Sequence, residues 1–182
     1  MEKVDFNDWK KFPNLISIFR IFFIPLIIYL FEDMNQNRWL IIITLIIFSI
    51  LDNLDGFAAR KLNQITELGK VIDPVVDKLF VITIAFLTFQ AKLIPFWFLV
   101  LVIFRDISIM LAGIIFLKKI KRVPQSDFIG KLTVGAIGFI FLISLLNFQK
   151  VNFIYSLSLA ICSFLIFLSL INYGYKQFFK RK

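Results

Sequence analysis

Four acidic and small residues at the end of one apolar stretch, and three more at the start of the next, are spaced for joint chemistry. Asp52 and Asp55 are three apart, so on a helix they share a face with Gly56 and Ala59. Gly69, Asp73 and Asp77 follow at four-residue steps and line one face of a second helix. If the two helices are antiparallel neighbours, their four carboxylates converge. Four such anions cannot stay ionised together in a low-dielectric pocket, because repulsion and desolvation would protonate some of them. Arg60 and Lys78 lie near but are too few, and Lys70 can snorkel away. Divalent cations resolve the conflict. Oxygen-only ligands select Mg²⁺, Mn²⁺ or Ca²⁺ over zinc or copper, and two such ions about 3.5–4 Å apart form a known device for phosphoryl displacement. The competing reading is a set of interhelical salt bridges.

Other residue types narrow the chemistry. Gly56 and Ala59 remove bulk beside the first acids, which lets a flat or phosphate-bearing ligand approach the backbone; close packing of two helices is the alternative. There is no histidine, so imidazole bases and His-ligated metals are excluded. The single Cys162 lies in an apolar run, which excludes a thiolate metal site within one chain and suits a small buried side chain. Catalysis must therefore use carboxylates, Lys, Arg, hydroxyls or a metal.

The elements that hold these residues are membrane-spanning helices. Of 182 residues, 59% are apolar and 24 are Phe, in long unbroken runs that a soluble domain of this size could not bury. About 20 apolar residues cross a hydrocarbon core, and six segments meet or approach that length, at about 14–31, 38–59, 71–90, 93–117, 128–147 and 151–173. Period-2 alternation is absent, which argues against a β-barrel. The links are short, so residues 1–182 read as one domain: an all-α integral membrane protein with six transmembrane helices. Basic residues outside the spans gather on one side, with only Arg38, Lys92 and Lys150 on the other, so both termini are expected to be cytoplasmic. The leader, residues 1–13, mixes acids with lysines and lacks a cleavage pattern, so it does not read as a signal peptide. Its Phe6, Trp9 and Phe12 suit a short interfacial segment, and a solvated leader with an aromatic anchor is the alternative. The net charge of +9 is expected to meet anionic lipid headgroups rather than nucleic acid.

The spacing Asp52-x-x-Asp55-Gly56-x-x-Ala59-Arg60, then Gly69-x-x-x-Asp73-x-x-x-Asp77, resembles the signature of the CDP-alcohol phosphotransferases. Weaker likeness runs through 13–20, Asp73-Pro74 and Gly130-Lys131. The resemblance implies a six-span, usually homodimeric enzyme of the cytoplasmic membrane, with its active site facing the cytoplasm. It would move a phosphatidyl group from CDP-diacylglycerol to an alcohol and release CMP. By the same likeness two divalent ions, Mg²⁺ or Mn²⁺, are held by Asp52, Asp55, Asp73 and Asp77. Asp77 is then also the general base, and Gly56, Ala59, Arg60 and Gly69 bind the CDP moiety.

Arg20 and Arg105 sit within spans, and Lys131 opens the fifth at the cytoplasmic level. Facing an internal cavity, they suit an anionic acceptor; pairing with the aspartates or supporting the fold is the other role open to the arginines. The N-terminal and Gly-Lys stretches look most like bacterial phosphatidylglycerophosphate synthases, whose acceptor is glycerol 3-phosphate. Phe104-Arg105-Asp106 is closer to the Arg-Asp step of cardiolipin synthases, whose acceptor is phosphatidylglycerol, and Ser17 stands where the former more often carry Thr. Serine and inositol phosphate are further candidates. Two other classes fit less well. Intramembrane prenyltransferases use a different Asp spacing, and a divalent-cation channel would place acids at mid-membrane rather than near one face.

Overall fold

The structure, a computed structural model, describes residues 12–61, 69–120, 128–147 and 152–179. These form seven helices: α1 (Phe12–Ile21), α2 (Phe23–Glu32), α3 (Met34–Lys61), α4 (Gly69–Gln90), α5 (Phe96–Ile120), α6 (Phe128–Leu145) and α7 (Asn152–Phe179). No strand occurs among the described residues. Most of the leader, 1–11, lies outside them. By length and composition three stretches suit a membrane crossing, Met34–Asp52, Phe128–Leu145 and Phe153–Tyr175. Large apolar side chains, Trp39, Phe104, Phe128 and Phe153 among them, are exposed, as hydrocarbon surroundings allow and water would not.

The first expected span is two helices, which corrects the reading of 14–31 as one. Pro25 has no N–H to give the carbonyl of Ile21, and its ring crowds that carbonyl. The ladder breaks there. Phe22 N–H donates instead to Phe19 O at 3.1 Å, a tighter i–3 bond, before Leu26 N–H resumes at Phe22 O. The break leaves Arg20 in the last turn of α1, where the helix dipole favours a cation. The link expected at 32–37 is also shorter than read. The backbone leaves the helix only at Asp33, and Gln36 and Asn37 N–H already donate to Asp33 O, opening α3. Asn37 Nδ2 reaches back to Leu30 O at 3.3 Å, satisfying a carbonyl at the end of α2.

The chain divides into two compact units, Met1–Leu87 and Thr88–Lys182. In the first, α1 and α2 pack against α3 over Ile27 and Ile41, both fully buried. Phe48 of α3 joins α4 to this core. Its ring stacks on Phe80 at 3.6 Å between centroids and takes Phe23 edge-on at 6.2 Å.

In the second unit α7 packs on α5 and α6, with Phe98, Val102, Ile140 and Ile166 buried. The end of α4 turns through Lys92, at φ 58°, with Lys92 N–H on Phe89 O and Leu93 N–H on Thr88 O. Thr133 donates to Ile129 O within α6 and lies 3.2 Å from Leu165 O of α7, tying the two helices. Tyr155 donates to Leu93 O at 2.6 Å and accepts from Ser144 at 3.3 Å. Tyr155→Phe is expected to lower stability by about 1–3 kcal/mol, because it strips a buried carbonyl of its donor. Thermal unfolding in detergent checks this, and an unchanged midpoint contradicts it.

Candidate active site

Three of the four acids meet on one cation. Arg20 Nη1 donates to Asp52 Oδ1 at 2.7 Å and to Asp77 Oδ1 at 2.5 Å. Its Nη2 lies 3.8 Å from Asp73 Oδ1, ion-pair distance rather than a hydrogen bond. Three helices thus contribute: α1 the guanidinium, α3 Asp52, and α4 Asp73 and Asp77, one turn apart. The expected convergence of the ends of α3 and α4 is present, and a charge from α1 stands within it.

Exposure is uneven across the cluster. The Arg20 side chain is wholly buried, whereas those of Asp52, Asp73 and Asp77 are 45%, 38% and 33% exposed. The cation therefore sits behind the acids, and the acids keep an accessible side. Arg20 is backed by Phe48, whose ring centroid lies 5.5 Å from the guanidinium carbon. The same Phe48 stacks on Phe80, so the aromatic packing that joins α3 to α4 also props the guanidinium.

Asp55, Gly56, Ala59 and Arg60 belong to α3 and Gly69 opens α4, but their side chains lie outside the described residues. No three acids among the described residues are gathered so as to hold an ion by themselves. The donor chemistry nevertheless fits a hard divalent cation: every donor is a carboxylate oxygen on a partly exposed side chain, and one guanidinium does not neutralise three carboxylates.

The second unit holds its own buried charges. Arg105 and Asp106 of α5 are 3% and 2% exposed, and Arg105 Nη1 donates to Asp106 Oδ1 at 2.6 Å. Arg105 Nη2 donates at 3.4 Å to Gly130 O, in the first turn of α6. Lys131, the next residue, is exposed. Of the three residues expected to bind an acceptor, then, only Lys131 presents its side chain outward. Arg20 and Arg105 are buried on internal partners.

Sequence reasoning put Arg20 first as an acceptor-binding candidate and kept pairing with the aspartates as the alternative; the structure shows the pairing. The signal was available: four acids on two helices need a cation, and Arg20 is a buried-span arginine with no acid close to it in sequence. Cys162 is buried, as a small apolar residue would be.

Comparison with known proteins bears on residues from both units. The model of the CDP-alcohol phosphatidyltransferase family matches residues 10–170. The chain is similar to the CDP-diacylglycerol–glycerol-3-phosphate 3-phosphatidyltransferase of Aquifex aeolicus, 39% identical over 124 residues, 66% of this chain and 67% of that protein. It is similar to a putative cardiolipin synthase of Mycobacterium tuberculosis, 35% identical over 101 residues, 56% of this chain and 47% of that protein. A third likeness is to the CDP-diacylglycerol–glycerol-3-phosphate 3-phosphatidyltransferase of Rickettsia typhi, 45% identical over 73 residues, 40% of this chain and 41% of that one. The chain thus matches about two thirds of the Aquifex protein's length and less than half of the other two.

Proposed function

The chain belongs to the CDP-alcohol phosphatidyltransferase family, and on that premise we propose that it transfers a phosphatidyl group from CDP-diacylglycerol to the hydroxyl of glycerol 3-phosphate, releasing CMP. The observation that carries this reading is the meeting of Asp52, Asp73 and Asp77 from two helices on one buried guanidinium, at the positions of the family's motif. Two divalent ions, Mg²⁺ or Mn²⁺, held by Asp52, Asp55, Asp73 and Asp77, would supply charge stabilisation on the diphosphate. Asp77 takes the proton from the acceptor hydroxyl, whose oxygen then bonds to the phosphorus that carries the diacylglycerol. The bond from that phosphorus to the bridging oxygen breaks, and CMP leaves with the electron pair. Gly56 and Ala59, with Gly69, give the nucleotide room against the backbone, and Arg60 holds its phosphates. Lys131 meets the acceptor's phosphate. Arg105 supports it through the Gly130 carbonyl, and Arg20 stands beside Asp77, where the acceptor hydroxyl has to arrive.

Residues 1–182 act as a single domain, in a homodimer embedded in the cytoplasmic membrane. Six crossings place both termini and the acids at the cytoplasmic face, in accord with the bias of basic residues. A second reading keeps the donor and changes the acceptor to phosphatidylglycerol. The buried Arg105-Asp106 step and the likeness to the mycobacterial protein favour it.

CMP release from CDP-diacylglycerol in detergent, with glycerol 3-phosphate, phosphatidylglycerol, serine and inositol phosphate compared as acceptors, separates the two. Release with none of these acceptors contradicts both. Depletion of divalent ions with EDTA is expected to cut CMP release at least about a hundredfold, and added Mg²⁺ or Mn²⁺ to restore it. Activity that survives depletion would remove the metal from the mechanism.

A further inference from the structure

We infer that Arg20 is a built-in counter-cation of the carboxylate pocket, competing with divalent ions for the oxygens of Asp52 and Asp77. The inference rests on the metal-dependent reading above and goes beyond it. One nitrogen of Arg20 already contacts Oδ1 of both acids, at 2.7 and 2.5 Å, and its neighbour faces Asp73 at 3.8 Å. A hard divalent ion needs carboxylate oxygens at about 2.0–2.6 Å. It cannot take those same lone pairs while the guanidinium holds them. Like charges a few ångströms apart in a partly buried site also repel strongly.

Arg20 cannot simply retreat into water. Its side chain is wholly buried and its guanidinium lies against Phe48, which is itself packed between Phe23 and Phe80. The exposed side of the cluster belongs to the acids. A metal ion therefore arrives from the accessible side and Arg20 opposes it from behind. Without the ion, the guanidinium keeps three carboxylates from repelling α3 and α4 apart. With it, the fixed charge weakens binding and eases release. Arg20 is on this account a positioning residue that sets metal affinity, and a plain structural arginine would leave that affinity alone.

The test measures Mn²⁺ binding directly, by the loss of the free-ion electron paramagnetic resonance signal, on full-length protein in detergent. Thermal unfolding is followed in EDTA and at saturating Mn²⁺. Arg20→Met is expected to lower the unfolding midpoint in EDTA, to bind Mn²⁺ at least about tenfold more tightly, and to regain most of the lost midpoint when Mn²⁺ is saturating. A variant that binds Mn²⁺ no more tightly than wild type, with a midpoint deficit that persists at saturation, overturns the inference. If wild type binds Mn²⁺ and only the variant's gain is missing, the metal-dependent reading survives and Arg20's role alone is lost. If wild type binds no Mn²⁺, both fall. Should Arg20→Met not fold, Arg20→Gln decides in its place. It is neutral but keeps a hydrogen-bond donor toward the acids, and unchanged Mn²⁺ affinity in that variant overturns the inference equally.

Discussion

Asp77→Asn is expected to reduce turnover at least about a thousandfold while the protein still folds and binds CDP-diacylglycerol. A positioned general base contributes about 10²–10⁴ in rate, and Asp77 is also assigned to the metal set, so the loss belongs at the upper end of that range. The fold tolerates the change for a local reason. Asparagine has nearly the same shape and keeps a side-chain oxygen that Arg20 Nη1 can still donate to, in place of the present 2.5 Å contact. What disappears is the negative charge and the capacity to take a proton. The Asp77 side chain is 33% exposed, so a hydroxyl can reach it. Steady-state CMP release, with lipid binding measured separately, checks the claim. Turnover within tenfold of wild type takes the proton-transfer role away from Asp77, and lost binding of the nucleotide lipid shows instead that the variant has damaged the site.

The acids were legible because helix periodicity is local. Offsets of three and four residues place Asp52 with Asp55, and Asp73 with Asp77, on one face wherever the helices sit. The short link between α3 and α4 then brings the two faces together. Arg20 was not legible in this way. It lies 32 residues from Asp52 and 57 from Asp77, and nothing in its own spacing says which helix it will face. What decides this is the break at Phe22, caused by Pro25, together with the packing of α1 against α3. The proline was visible, yet its consequence depends on a neighbour that spacing does not name.

The same contrast holds for helix ends. The limits of α4, Gly69–Gln90, lie close to those of the apolar run, because the run itself sets that helix. The joint at Asp33 is shorter than the polar stretch 32–37 suggested. There Asn37 caps a carbonyl of the preceding helix while already sitting in the next, a use of a polar residue that hydropathy scores as loop.

Arg105 tests whether a buried arginine serves a ligand or the fold. Arg105→Ala is expected to destabilise the protein by about 3–5 kcal/mol, because it takes from the buried Asp106 the guanidinium that donates to it at 2.6 Å, and takes a donor from the Gly130 carbonyl. Replacing both members, Arg105→Met with Asp106→Leu, is expected to recover most of that stability, since apolar side chains of similar volume then replace the buried pair. Thermal unfolding in detergent compares the three proteins. The double variant is also the fair subject for kinetics, because its fold is no longer in question. If Arg105 supports an acceptor site through Gly130 and Lys131, the double variant shows a KM for glycerol 3-phosphate raised at least about tenfold and a KM for CDP-diacylglycerol within about twofold of wild type. Equal changes for both substrates, or none, assign the pair to the fold and leave Lys131 to recognise the acceptor without it.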